Sequence, residues 1–130
     1  MHFQVTFNKA FQTGRIAEDM EAQNWIKRNG IPLDPVEIEC FPFYSFMLAL
    51  NRTTVDFFSL DVEGDEFKVL KTIPFDKINI KMFTIEYLHE PGGVHALQSF
   101  MESKGYWLVA NIRRQYVVGD LIFIKKSLRD

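Results

Sequence analysis

The chain has 130 residues, of which 47% are apolar and 15% aromatic, so it is long enough for one domain with a sizeable core and too apolar to be disordered. The net charge of -2, without a cluster of Lys or Arg, argues against nucleic-acid binding. The single cysteine, Cys40, excludes an intrachain disulfide and a cysteine-based metal site. The three histidines have no metal-ligand spacing, so the sequence predicts no metal site.

The distribution of apolar residues argues against a membrane-spanning protein. No apolar run approaches the ~18 residues that a membrane-spanning helix needs. The N-terminus lacks the basic and apolar regions of a signal peptide, so we expect a cytoplasmic protein by default.

The first part of the chain is poorly patterned and forms an N-terminal segment over residues 1–35. Alternating apolar residues at positions 3–7 predict a short strand, and residues 8–15 are interpreted as a loop. Residues 16–28 are a helix candidate, because acidic residues come early and basic residues late, as the helix dipole favours.

The next elements are strongly apolar. Residues 36–41 alternate as a half-buried strand, and residues 43–50 predict a short helix that we expect to be buried in the core. Residues 54–63 are nearly continuously apolar, which is typical of a central strand of a parallel sheet with both faces buried.

The central strand is followed by an acidic turn. Asp61 and Glu63 lie two positions apart, so they would share one face if both belonged to the strand, and Gly64 allows a tight turn. In open α/β sheets, ligands bind outside the carboxyl ends of the strands. The alternative is purely structural, because acidic residues are common at helix starts, where they cap the helix and favour its positive end.

The remainder of the chain alternates helices and strands. Residues 65–72 and 94–104 predict helices, and residues 81–88 predict a buried strand that ends near Glu86 and His89. His89, beside this crevice, is a candidate acid or base, but a lone histidine in a loop is more often solvated, and we expect it to be solvated. Strands at 106–112 and 120–126 are too close in sequence for a parallel crossover, so they should be antiparallel, and residues 127–130 form a tail. The fold class is α/β, with a mostly parallel sheet of about five strands that ends in an antiparallel hairpin.

This layout and the central motif resemble one family. The segment VDFFSLDVEGDEFKVLK at 55–71 is similar to the hallmark segment of FkbM-type methyltransferases, and FTIEY at 83–87 is similar to their next strand, which ends in Glu. The resemblance covers a domain at residues 36–126, which would be the C-terminal half of the family's fold. The sequence of residues 40–74 looks closest to the animal branch that includes the arthropod protein Star.

The resemblance implies a Rossmann-like fold, the cofactor S-adenosylmethionine and methyl transfer to an oxygen of a small-molecule or glycan hydroxyl acceptor. It implies catalytic roles for Asp61, Glu63 and Glu86, and cofactor-binding roles for Asp61, Gly64 and Glu66. A carboxylate at these positions would orient the acceptor hydroxyl, act as a general base or bind the cationic part of the cofactor. The sequence does not choose among these roles.

The family's glycine-rich cofactor turn has no counterpart here, since Gly14 and Gly30 are isolated. Three interpretations therefore stay open. The chain is an FkbM-type methyltransferase, or a non-catalytic Star-like protein that acts by protein contacts in ER-to-Golgi traffic and is associated with those compartments, or a truncated domain. Without the family's first strand, the central strand would have a free edge, which invites pairing with another chain. Either the N-terminal segment covers that edge, or the chain self-associates through it, or the chain is a fragment that folds poorly.

Overall fold

The structure of the protein, a computed structural model, describes residues 2–8, 13–16, 34–90, 92–114 and 118–128. The chain divides into two compact units, Met1–Phe41 and Pro42–Asp130. The helix predicted over residues 16–28 lies outside the described residues, apart from Ile16, which ends a strand.

The first unit contains a three-stranded antiparallel sheet in the order β2-β1-β3. Its strands are β1 (His2–Asn8), β2 (Thr13–Ile16) and β3 (Asp34–Glu39). The strands predicted near residues 3–7 and 36–41 are therefore present, the second with earlier bounds. The loop predicted over 8–15 is wrong at its end, because Thr13, Gly14 and Arg15 pair with β1. Backbone pairing forms β2, which shows no apolar alternation in its sequence.

The second unit contains a four-stranded mixed sheet in the order β4-β5-β7-β6, with three helices. The strands are β4 (Thr54–Leu60), β5 (Asn79–Glu86), β6 (Tyr106–Arg114) and β7 (Val118–Lys125). The helices are α1 (Phe43–Ala49), α2 (Glu66–Thr72) and α3 (Gly93–Ser103), and a 3₁₀ turn follows β7 at Lys126–Leu128.

The strand directions follow from the lengths of the connections. Helix α2 provides the crossover that lets β4 and β5 run parallel. The connection between β6 and β7 is short, and these strands are antiparallel, as the sequence predicted. Strand β7 also runs antiparallel to β5, which places β7 between β5 and β6.

Two expectations about this sheet are wrong. The sheet has four strands and one parallel pair, whereas about five mostly parallel strands were expected. Strand β4 lies at an edge of the sheet, and β5, not β4, is a central strand. The apolar run in β4 suggested burial on both faces, but Phe57 is 54% exposed. An apolar run does not by itself distinguish a central strand from an apolar edge strand.

The core of the second unit lies around β5. Ile80, Phe83 and Ile85 are fully buried on this strand, and β7 adds Leu121 and Phe123. Helices α2 and α3 complete the core with Leu70, Leu97 and Met101. Both helices lie where the sequence predicted them, within one residue at each end.

The chain has 13 phenylalanines, and several of them form a cluster of rings around Phe83. The ring of Tyr106 meets that of Phe83 nearly edge-to-face, with centroids 5.3 Å apart, and Phe58 lies 5.4 Å from Phe83 on another side. The ring of Phe75 contacts Phe83, Phe100 and Tyr106 at about 6 Å. Such pairs contribute about 0.5–1.5 kcal/mol beyond their buried area.

Helix α1 forms where the sequence predicted it, but its predicted burial is wrong. Met47 is the one fully buried residue in this helix, whereas Phe46 is 53% exposed and Leu48 is 62% exposed. A helix of seven residues has two turns, and only one side of it can face the core. Among the described helices, none has the length and apolar character needed to cross a membrane.

Candidate functional site

The candidate site begins where β4 and β5 end. Leu60 and Ile85 are partners in the parallel ladder, and Asp61 and Glu86 are the residues that follow them. Because parallel strands end at the same edge of a sheet, these two acidic residues come close together. Strand β4 stops at Leu60, so Asp61 and Glu63 both lie beyond it. Asp61 and Glu63 would share one face only if both belonged to the strand, and neither does.

The turn after β4 has an unusual backbone. Glu63 has a φ of +58° and Gly64 a φ of +106°, which is a conformation that only glycine adopts with ease. A Cβ atom on Gly64 would lie 2.7 Å from the backbone carbonyl oxygen of His89. Close packing of two chain segments therefore accounts for this glycine without a bound ligand.

Glu66 folds back from the first turn of α2 onto this loop. Its side chain is fully buried, Oε1 accepts a hydrogen bond from the Val62 N–H at 2.8 Å, and Oε2 accepts one from the Gly64 N–H at 3.0 Å. Burial raises the pKa of the Glu66 carboxyl, and the negative charge of Glu86 raises it further, while the two backbone donors act in the opposite direction. The Glu66 carboxyl thus holds the loop in place.

Glu86 ends β5 and is 8% exposed. Its Oε1 accepts a hydrogen bond from the Leu88 N–H at 2.6 Å. Burial raises the pKa of the Glu86 carboxyl, and the charge of Asp61 adds to this, against the lowering effects of the Leu88 N–H and of His89. A carboxyl group with a raised pKa in a crevice is a candidate for a functional group.

The structure brings three of the sequence-predicted residues into one cluster. Asp61, Glu66 and Glu86 each place one carboxylate oxygen within 4.8 Å of the others, and we call this group the acidic cluster. Asp61 is exposed, whereas Glu66 and Glu86 are buried. The cluster therefore has an open side at Asp61 and a closed side at the two glutamates, and it would attract a cation.

His89 is the residue that the sequence analysis did not assign to the site. Its Nδ1 lies 3.1 Å from Oε2 of Glu63 and 3.6 Å from Oε2 of Glu86. The expectation of a merely solvated histidine is therefore incomplete, because the side chain is 46% exposed and also contacts two acidic residues. The available signal was its position three residues after Glu86 on the same loop.

The start of helix α2 is held by a residue from elsewhere in the chain. Asp65 is the N-cap residue but forms no cap hydrogen bond with its side chain, which instead pairs with Lys68 at 2.6 Å. Oε2 of Glu90 accepts a hydrogen bond from the Phe67 N–H at 3.2 Å. The helix-capping role expected for the acidic residues after β4 is thus performed in part by Glu90, in the loop after β5.

An α/β sheet with polar side chains gathered at the carboxyl ends of parallel strands is typical of proteins that bind a small ligand at that edge. The sequence matches the family model described as "Methyltransferase FkbM domain" over residues 5–108, and the chain belongs to this family. No curated protein and no solved structure matches the chain.

The family match includes the acidic turn and both strands that carry the acidic cluster. It begins in β1 and ends in β6, so it starts earlier than the resemblance over residues 36–126 and stops before its end. The four-stranded mixed sheet is compatible with a methyltransferase-like fold. The domain bounds and the roles assigned to individual residues stay predictions.

Proposed function

We propose that this chain is an S-adenosylmethionine-dependent methyltransferase that methylates a hydroxyl oxygen of a small-molecule or glycan acceptor. The observation that carries the proposal is the acidic cluster at the ends of two parallel strands, in a chain that belongs to the FkbM methyltransferase domain family. Ligands of open α/β sheets bind at this position.

The charge of the site suits this cofactor. When bound, S-adenosylmethionine supplies a methyl group carried on a positively charged sulfur. Asp61 and Glu66 present negative charge at the strand ends, and Glu66 is fixed by its two backbone donors. Fixed charges in a partly buried site interact more strongly than the same charges in water. We therefore assign the electrostatic attraction of the cofactor to these two residues, with Gly64 keeping the loop in position.

Methylation of a hydroxyl also requires a group that accepts its proton. Glu63 Oε2 lies near Nδ1 of His89, so a proton on Nδ1 leaves Nε2 of His89 free to accept a second proton. In this proposal Nε2 would take the hydroxyl proton, the hydroxyl oxygen would bond to the methyl carbon, and the bond from that carbon to sulfur would break, leaving the neutral thioether S-adenosylhomocysteine. Glu63 and Glu86 stabilise the protonated imidazole that results, because both lie beside it.

The test is a titration of the purified chain with S-adenosylmethionine, in buffer with EDTA, followed by calorimetry and by thermal unfolding. A ligand at about 100 times its Kd stabilises the folded state by about 2.7 kcal/mol, which raises Tm measurably. We expect a saturable rise that is lost in Asp61→Ala. Asp56→Ala is the matched control for Asp61→Ala, since Asp56 is an exposed acid on β4 that pairs only with Lys81 in the contacts described.

A cooperatively folded chain that shows no shift would overturn the enzyme proposal. The second candidate is then the Star-like function, action in ER-to-Golgi traffic through protein contacts. It is favoured by the exposed apolar side of α1 and the turn after it, where Leu48 and Leu50 are 62% and 68% exposed. The tagged chain would then concentrate at ER and Golgi membranes in cells. Leu48→Glu would disperse it, and Asp61→Ala would not.

A further inference from the structure

We propose that the acidic cluster of Asp61, Glu66 and Glu86 is a binding site for one divalent cation of the hard, oxygen-preferring type, such as Mg²⁺, Mn²⁺ or Ca²⁺. This inference goes beyond methyl transfer, because it concerns an ion bound by the chain alone. No metal site was predicted from the sequence, because only the spacings of histidines and cysteines were considered. Carboxylates from different elements leave no such spacing in the sequence.

The geometry of the three carboxylates suits such an ion. One oxygen of each lies within 4.8 Å of the others. Metal–oxygen bonds of about 2.1 Å for Mg²⁺ and about 2.4 Å for Ca²⁺ place opposite ligands roughly 4.2 and 4.8 Å apart, and adjacent ligands closer. Three oxygens in this range can therefore share one ion with little movement of the chain.

A second observation points to a ligand at this position. Oε2 of Glu86 is buried and has no hydrogen-bond partner among the described residues, in a residue that is more than nine-tenths buried. Nδ1 of His89 lies 3.6 Å from this oxygen, within the range of an ion pair but beyond hydrogen-bond distance, and it lies closer to Glu63. Buried polar atoms in proteins are nearly always satisfied, and a cation at the cluster would satisfy this one.

The two buried ligands are already held in place by the backbone. Glu66 accepts hydrogen bonds from the N–H groups of Val62 and Gly64, and Glu86 accepts one from Leu88. Each bonded carboxylate oxygen retains a second lone pair for a metal ion. Asp61 is exposed, so the ion enters from solvent on that side and keeps some of its water.

The experiment is a calorimetric titration of the apo chain, treated with chelator and then freed of it, with MgCl₂, MnCl₂ and CaCl₂ at constant ionic strength and without S-adenosylmethionine. We expect one ion per chain with a Kd of about 0.1–1 mM for at least one of the three metals, which is typical of sites with few protein ligands. The electron paramagnetic resonance signal of free Mn²⁺ gives an independent count of bound ions.

Two variants identify the site. Asp61→Asn changes an exposed residue, and Glu86→Gln keeps the shape of its side chain. We expect each variant to weaken binding about tenfold or more, since each loses an anionic ligand. Asp56→Asn, the exposed control on β4, should bind as the unchanged chain does, because Asp56 lies outside the cluster.

Absence of saturable binding by the folded chain at millimolar metal overturns the inference, and so does binding that Asp61→Asn leaves unchanged. Either result is separate from the proposed function, because the cofactor titration is made in EDTA. S-adenosylmethionine binding without metal binding would leave the methyltransferase proposal intact.

Discussion

Gly64 is the residue on which the geometry of the acidic turn depends. Its φ of +106° and its contact with the His89 carbonyl oxygen both exclude a side chain. We expect Gly64→Ala to lower the free energy of unfolding by about 2–3 kcal/mol, from backbone strain and a clash between two backbone segments. Urea unfolding followed by circular dichroism measures the loss.

Gly105 provides the matched control for Gly64→Ala. It also has a positive φ, +87°, but a Cβ atom there would meet nothing within 4 Å. We expect Gly105→Ala to cost about 1 kcal/mol, from strain alone. If the two variants lost the same free energy of unfolding, the close approach of Gly64 to His89 would add nothing to the cost of Gly64→Ala.

Because of Tyr106, we expect the free energy of unfolding to fall at alkaline pH. Its side chain is 1% exposed, its hydroxyl donates a hydrogen bond to the Ile80 carbonyl oxygen at 2.7 Å, and burial raises its pKa to about 12. The unfolded chain releases this proton near pH 10, so between about pH 10 and 12 the folded state binds more protons than the unfolded state. This group's contribution to stability is therefore complete below about pH 10. It falls by about 1.4 kcal/mol per pH unit until about pH 12.

Tyr106→Phe tests this pH dependence. The variant lacks the ionisable group, so its free energy of unfolding should fall less steeply over the same pH range. Urea unfolding at several alkaline pH values gives the two slopes, and both proteins share the titration of their lysines. Parallel slopes would show that Tyr106 ionises equally well in both states.

At the scale of elements, the start of α2 depends on Glu90. The Glu90 carboxylate accepts the Phe67 N–H, and the N-cap residue Asp65 supplies no such bond. Glu90→Ala should therefore cost about 1 kcal/mol, as the loss of a helix cap does. Glu90→Gln keeps an acceptor oxygen and should cost less, and hydrogen exchange should localise the loss to the first turn of α2. Equal stability of Glu90→Ala and the unchanged chain would contradict this role.

The sequence predicted most of the described elements because their signals are local. The helices α2 and α3, strand β5 and the antiparallel hairpin of β6 and β7 follow from apolar periodicity and connection length. The position of β4 at an edge did not follow, because strand order depends on which segments pair. The exposure of α1 did not follow either, since an apolar helix becomes buried only where another element covers it.

The residues of the candidate site were predicted in part, and the contacts between them were not. Asp61 and Glu86 were identified because each lies at the polar carboxyl end of a predicted strand. The fold-back of Glu66 and the proximity of His89 to Glu63 were not, because they depend on the left-handed turn at Glu63 and Gly64. The contact between His89 and Glu63 joins positions that are distant in sequence. The hydrogen bonds of Glu66 are local but depend on the backbone of the turn, so neither contact leaves a periodic signal.

At the scale of the molecule, the free edge of β4 predicts self-association. Among the described strands, β4 bonds only to β5, and its Phe57 is more than half exposed. Exposed apolar edge strands pair readily with other chains. We expect a concentration-dependent dimer in analytical ultracentrifugation, and we expect Phe57→Lys to weaken it about tenfold or more, because a lysine on an edge strand opposes strand pairing.

A variant on the opposite edge of the same sheet distinguishes pairing through β4 from non-specific association. Val109 lies on β6, the other edge strand, and is 41% exposed, so Val109→Lys adds the same charge at a comparable position. An association through β4 should survive Val109→Lys. Loss of the dimer in Val109→Lys and not in Phe57→Lys would move the interface to β6. A chain that stays monomeric at all concentrations would show that the edge of β4 does not drive association.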